Sequence, residues 1–294
     1  MRRRSLLALA ALPLPAAAQP RPIAVASFSI LGDLLREVAG ERMDLRVIAG
    51  PDVDAHNFQA RPSHAEAMRS AQIVVRNGAG FDGWFNRLLS STNFRGVTVT
   101  ATDGITLRRA AATPGHNHGS QDPHAWQDVR LAIAYVRNIE AGLIRADAAG
   151  EAHYRARANA LATRLEALDG SVRAEIARVP EARRVIVTSH DAFAYFGAAY
   201  GVRFRAPQGV ATNAEPSAQQ VARLIRQIRT ENITAVFIEN MANPATLRRL
   251  AEEAGVQIRG RLYADALSGA DGPAATYEAM VRHNVGLMVP AMLG

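Results

Sequence analysis

Short apolar runs alternate with longer stretches of helical period along most of this chain, which predicts an α/β architecture built on parallel sheets. Runs of strand length are Pro22 to Ser27, Leu45 to Ala49, Gln72 to Asn77 and Val97 to Ala101. A second set comprises Arg184 to Ser189, Ala235 to Asn240 and Val256 to Tyr263. Between the sets, Glu151 to Val179 contains no proline. Its apolar positions Tyr154, Ala158, Leu161, Leu165, Leu168, Val172, Ile176 and Val179 keep a spacing of three and four. That pattern predicts one amphipathic helix of about 29 residues, roughly 43 Å long at 1.5 Å per residue, stopped at Pro180. The expected organisation is an N-terminal lobe over residues 19–147, a rigid linking helix over 148–179 and a C-terminal lobe over 180–294. A cleft would lie between the lobes.

The first residues follow a different pattern. Arg2 to Arg4, the apolar run Leu6 to Leu14 and the small residues Ala16 to Ala18 read as a secretory signal peptide over residues 1–18, cut after Ala18. Arg3 to Leu7 loosely resembles a twin-arginine leader, which leaves the export route open. No later apolar run reaches the roughly 20 residues a membrane-spanning helix needs.

Composition narrows the picture further. With 48% hydrophobic and 21% charged residues, the 294-residue chain suits a soluble protein with room for two domain-sized cores. The chain has no cysteine, which excludes disulfides, thiolate metal ligands and a cysteine-linked lipid. In a two-membrane cell this predicts a free periplasmic protein, not a lipid-anchored one. The net charge of +7 includes three arginines of the leader. No basic run with interleaved aromatics appears, so nucleic acid is not an expected partner.

In open parallel sheets, ligands bind beyond the carboxyl ends of the strands. Four residues with metal-ligating chemistry stand there: His56, His124, His190 and Asp265. Two precede the long helix and two follow it, so they can converge from both lobes. Three imidazoles and one carboxylate suit a borderline ion, with Zn²⁺ first and near-tetrahedral geometry expected.

Spacing alone leaves alternatives open. His190 can cap a helix beginning near Asp191, Asp265 can be an N-cap or turn residue, and His56 can be a solvated turn residue. His64 stands at a helix start, and His153 and His283 lie within helical patterns, where surface or packing roles are expected. His116 and His118 sit among glycine, asparagine and serine, a composition that favours a loop.

Several ordered stretches resemble one family, the periplasmic solute-binding proteins of zinc and manganese ABC importers (cluster A-I). They are "DAHNFQARPSH" (Asp54 to His64), "RNGAGFDGWFNRLL" (Arg76 to Leu89), "DPHAWQDV" (Asp122 to Val129), "TSHDAFAYFGAAYG" (Thr188 to Gly201) and "YADALSGADGPAATYEAMVRHNV" (Tyr263 to Val285). Ala55 stands where the family usually has proline, and His64 where it has aspartate.

The resemblance implies two (β/α) lobes joined by one long helix, no catalysis, and a metal held by His56, His124, His190 and Asp265. It also implies that His116 and His118 are a shortened acquisition loop. Members that carry manganese resemble a set with a carboxylate at the position of His190, so the histidine here points to Zn²⁺, with Mn²⁺ or mixed use as the alternative. A zinc-dependent hydrolase is a further alternative, but catalytic zinc keeps a position open for water and this set supplies four ligands. The implied partners are an inner-membrane ABC permease and a periplasmic zinc chaperone, with the protein working as a monomer. Proton competition at three imidazoles predicts that affinity falls steeply below about pH 6.5.

Overall fold

A computed structural model describes residues 21–110, 121–212 and 215–294. The proposed leader, residues 1–18, and the His116/His118 loop lie outside the described residues. The first half runs β1 (Ile23–Phe28), α1 (Ser29–Ala39), β2 (Asp44–Ala49), α2 (Pro62–Arg69), β3 (Ala71–Arg76), α3 (Gly83–Ser90), β4 (Val97–Thr100) and α4 (Val129–Ala146). The long helix α5 (Glu151–Ala177) follows. The second half runs β5 (Val185–Val187), α6 (Ala194–Tyr200), β6 (Arg203–Arg205), α7 (Ala218–Thr230), β7 (Val236–Glu239), α8 (Ala245–Ala254), β8 (Ile258–Leu262) and α9 (Tyr277–Leu293).

The strands form two parallel four-stranded sheets, ordered β2-β1-β3-β4 and β6-β5-β7-β8. This is the expected two-lobed α/β class. One strand was not apparent in the sequence: β6 is only "RFR", a single apolar residue between two arginines, and it pairs along one side of β5. So short an edge strand need not carry the apolar run that marks a buried one.

Helix α5 is 27 residues long and ends at Ala177, slightly short of the expected Val179. Its buried residues are Tyr154, Ala158, Leu161, Ala162, Leu165, Leu168, Val172 and Ile176, the predicted stripe with Ala162 added and without Val179, which lies past the helix end. The stripe packs on α1, α4 and α9. Arg164 pairs with Glu37 of α1 at 2.5 Å and with Glu278 of α9 at 2.8 Å, joining both lobes to the same turn of the helix.

The apolar core of the described residues divides into two unequal clusters. One continuous apolar cluster runs from Phe28 and Trp126 through Tyr154 and Leu165 to Phe193, Tyr277 and Met288. A smaller cluster, centred on Val236, Ile228 and Leu250, lies between the second sheet and α7 and α8. The lobes share apolar contacts around α5 and α9, a geometry that resists wide hinge opening.

Candidate metal centre

The site begins with two Asp-x-His segments that fold alike. In Asp54-Ala55-His56, the backbone N–H of His56 donates to Asp54 Oδ1 at 2.8 Å. In Asp122-Pro123-His124, the backbone N–H of His124 donates to Asp122 Oδ1 at 3.0 Å. Aspartate favours this local turn because its short carboxylate reaches the N–H two residues on. Each turn follows a strand of the first sheet and aims its imidazole toward the second lobe.

A third loop supplies the wall between them. After β3, residues Gly78, Ala79 and Gly80 all adopt positive φ (88°, 53° and 82°). A Cβ at Gly78 would meet Thr100 Cγ2 at 2.5 Å, so glycine is required there for space as well as for conformation. The Asp82 carboxylate gathers the N–H groups of Asn77 and Gly78 at 2.6 and 3.1 Å, which sets Phe81 edge-on to His56 with ring centroids 4.5 Å apart.

The second lobe contributes His190, after β5, and Asp265, after β8. His190 caps no helix, because α6 starts only at Ala194. Its ring and backbone are instead held by Glu239 at the end of β7. Glu239 Oε1 accepts from the N–H groups of Ser189 (2.8 Å) and His190 (3.1 Å), and Oε2 lies 2.5 Å from His190 Nδ1. His124 Nδ1 likewise lies 2.8 Å from Asp122 Oδ1. Each carboxylate fixes one ring nitrogen as the hydrogen-bond partner and leaves Nε2 facing the cleft.

All four expected residues therefore meet. One ligand atom from each of His56, His124, His190 and Asp265 lies within 4.8 Å of the others. The Nε2 atoms of His56 and His190 stand 3.2 and 3.1 Å from Asp265 Oδ2, and His124 Nε2 stands 3.5 Å from Oδ1. Yet both Asp265 oxygens and His190 Nε2 are buried without a hydrogen bond. An N-cap or turn aspartate would spend its carboxylate on backbone N–H groups, so those readings of Asp265 fail. Buried polar atoms without partners are costly, and atoms pointed at one shared centre are what a cation would satisfy.

The electrostatics agree with that arrangement. Burial raises the Asp265 pKa, but the His190 and His124 imidazolium charges outweigh it and hold the carboxyl well below its ordinary range. Burial opposes charge on His124, yet Asp265 and Asp122 prevail and push it up to about 9. His190 is also raised well above an ordinary histidine, since Glu239 and Asp265 overcome its burial. His56 goes the other way: burial dominates and lowers it, despite Asp265. Protons and a cation would therefore compete for this cluster. A dication bound with Asp265 alone would carry one net positive charge, and Asp122 and Glu239 behind the rings reduce it further, which lessens the penalty of burial.

The remaining described histidines lie elsewhere. His64 accepts from the Arg61 backbone N–H at 3.0 Å and closes the start of α2, while His153 and His283 bond the carbonyls of Ala39 and Arg261. The sequence reading missed the supporting roles of Asp122 and Glu239. Glu239 was within reach of the strand-end rule, being an acidic residue at the end of the apolar run Ala235 to Asn240.

The model of the ZnuA family, described as zinc-uptake complex component A, periplasmic, matches residues 24–291. The manganese-binding lipoprotein MntA of Halalkalibacterium halodurans is 31% identical over 268 residues, covering 91% of this chain and 87% of the relative. The iron-binding protein YfeA of Yersinia pestis is 32% identical over 264 residues, covering 89% and 83%. Among solved structures, the periplasmic zinc-binding protein TroA of Treponema pallidum superposes with a TM-score of 0.86 at 28% identity, over 92% of this chain and 99% of that one. With a family match across nearly its whole length, the chain belongs to the ZnuA family, the metal-binding solute-binding proteins of ABC importers, and is not an enzyme.

Proposed function

We propose that this protein captures Zn²⁺ in the periplasm as a soluble monomer and delivers it to the inner-membrane permease of an ABC importer. The observation that carries the reading is the donor set: three imidazole Nε2 atoms and one carboxylate, buried and converging. Imidazole-rich sites suit zinc, whereas manganese prefers oxygen-rich sites of higher coordination number. Solubility without a lipid anchor is supported by the absence of any cysteine to acylate. A periplasmic zinc chaperone is the proposed donor. The relatives named for manganese and iron make Mn²⁺, or mixed use, the second reading.

The test is elemental analysis of the purified protein with competitive Zn²⁺ and Mn²⁺ titration of the metal-stripped form, repeated on His190→Ala. One tightly held zinc, much weakened in the variant, supports the proposal. Preference for manganese shifts the cargo to the second reading. An unchanged variant overturns the ligand set.

A further inference from the structure

His56 differs from its three partners in exposure: its side chain keeps 7% of its surface, against none for His124, His190 and Asp265. The loop that carries His56, between β2 and α2, is therefore the cover of the site. We propose that Asp54, Asn57 and Thr212 form a clasp across the cleft whose opening sets the rate at which metal enters and leaves. This inference rests on the carrier reading above.

The clasp is a triangle of hydrogen bonds. Asn57 Nδ2 donates to Asp54 Oδ2 at 3.0 Å and to Thr212 Oγ1 at 2.8 Å, and Thr212 Oγ1 donates to Asp54 Oδ2 at 2.8 Å. Thr212 comes from the second lobe, beyond β6, so the triangle ties the His56 loop to the opposite side. The same Asp54 carboxylate holds the His56 backbone through its other oxygen. Movement of the clasp is thereby coupled directly to a ligand.

Two further features make it a gate more than a brace. Asn57 is exposed, and Asp54 and Thr212 are half-buried, so water can replace these bonds as they break. The root of the loop is anchored separately: the Asp52 N–H donates to the Leu267 carbonyl at 2.9 Å, Asn240 Nδ2 donates to Asp52 Oδ1 at 2.8 Å, and Trp84 Nε1 donates to the Ala55 carbonyl at 2.7 Å. The clasp can open while the root stays in place.

Beside the clasp lies a cavity of about 120 Å³ lined in part by Asp54, Thr212, Ser189, Met241 and Asn243. Ser189 precedes His190 and Asp54 stands two residues before His56, so the cavity adjoins ligand segments from both lobes. The buried Ser189 Oγ has no protein partner. A cavity of this size takes several waters, and with a carboxylate and an unpaired hydroxyl in its wall it suits a hydrated divalent cation shedding its shell.

The experiment measures capture and chelator-driven release of Zn²⁺ by stopped flow on the full chain, comparing the parent with Thr212→Val and Thr212→Ser. Valine removes the hydroxyl and keeps the shape; serine keeps the hydroxyl. The expected result is capture and release both about tenfold faster in Thr212→Val, as for losing the two partly exposed hydrogen bonds that this hydroxyl makes. Equilibrium affinity should be nearly unchanged, and Thr212→Ser should behave like the parent. Unchanged rates in Thr212→Val overturn the clasp. Faster release with unchanged capture, and affinity weakened to match, also overturns it, because the triangle would then only position His56. A parent protein that binds no metal overturns the carrier reading and the clasp with it, whereas a parent that binds and a variant that exchanges no faster overturns the clasp alone.

Discussion

The two Asp-x-His segments start from the same local turn and end in different mechanical states. In the segment ending at His124, the carboxylate grips both the backbone and the ring, and the chain beyond is clamped to the second lobe. Trp126 Nε1 and Gln127 Nε2 donate to the Ala264 carbonyl at 2.9 and 2.8 Å, and the Tyr277 hydroxyl donates to the Trp126 carbonyl at 2.6 Å. All these groups are buried. In the segment ending at His56, the carboxylate grips only the backbone of its histidine and spends its other oxygen on Asn57 and Thr212 at the surface. Proline at position 123 restricts the preceding Asp122 to extended conformations, whereas Ala55 imposes no such limit. One segment is a fixed floor and the other a cover, and a carrier that must hold and then release its cargo needs both.

The largest break in this comparison should come from the floor. Asp122→Asn removes the charge behind His124 and upsets the ring's tautomer, and loss of such an outer carboxylate weakens metal binding by about 10–100-fold. Competitive titration against a chelator of known affinity checks it. A loss below about threefold would show that burial alone orients the ring.

A change of pH should separate the segments next, because the two rings shift in opposite directions. In the metal-free fold His124 holds its proton up to about 9, against about 6.5 in an unfolded chain. Its folded-state pKa is raised, so the stabilisation it contributes is complete below about 6.5 and is lost as pH climbs through about 9. Metal binds the unprotonated ring, so affinity should rise across that same window, starting at higher pH than the sequence alone implied. The melting temperature of the metal-free protein should fall between pH 6.5 and 9 while the added shift on zinc binding grows. A metal-free melting temperature that rises there would mean the cluster does not hold its proton.

The smallest effect is expected at the cover. Asp54→Ala should weaken equilibrium binding by no more than about tenfold, since the bonds it removes compete with water. A loss equal to that of Asp122→Asn would erase the distinction between floor and cover.

Much of the fold and the site could be read from the chain, for identifiable reasons. Buried parallel strands are continuous apolar runs, so β1, β3 and β7 stood out, and the stripe on α5 repeats every three or four residues for 27 residues. His56, His124, His190 and Asp265 stand just beyond strand ends, where the parallel-sheet rule looks for ligands. The edge strand β6 did not show, because pairing on one side leaves little apolar signal in "RFR". The alternative reading of His190 as a helix cap fails because the chain turns three residues further before α6 begins, and Glu239, 49 residues away, takes the His190 backbone N–H.

By itself the sequence determined seven of the eight described strands, the long link between two lobes and the chemical type of the candidate ligands, because each depends on local periodicity or on residue identity. Tertiary structure decided which carboxylates orient which rings, that Asp265 is left without a hydrogen bond among three imidazoles, and that His56 keeps some exposure while His124, His190 and Asp265 keep none. Those outcomes depend on contacts between segments as far apart as Asp54 and Thr212. Such contacts are set by how the lobes pack around α5, which no local pattern encodes.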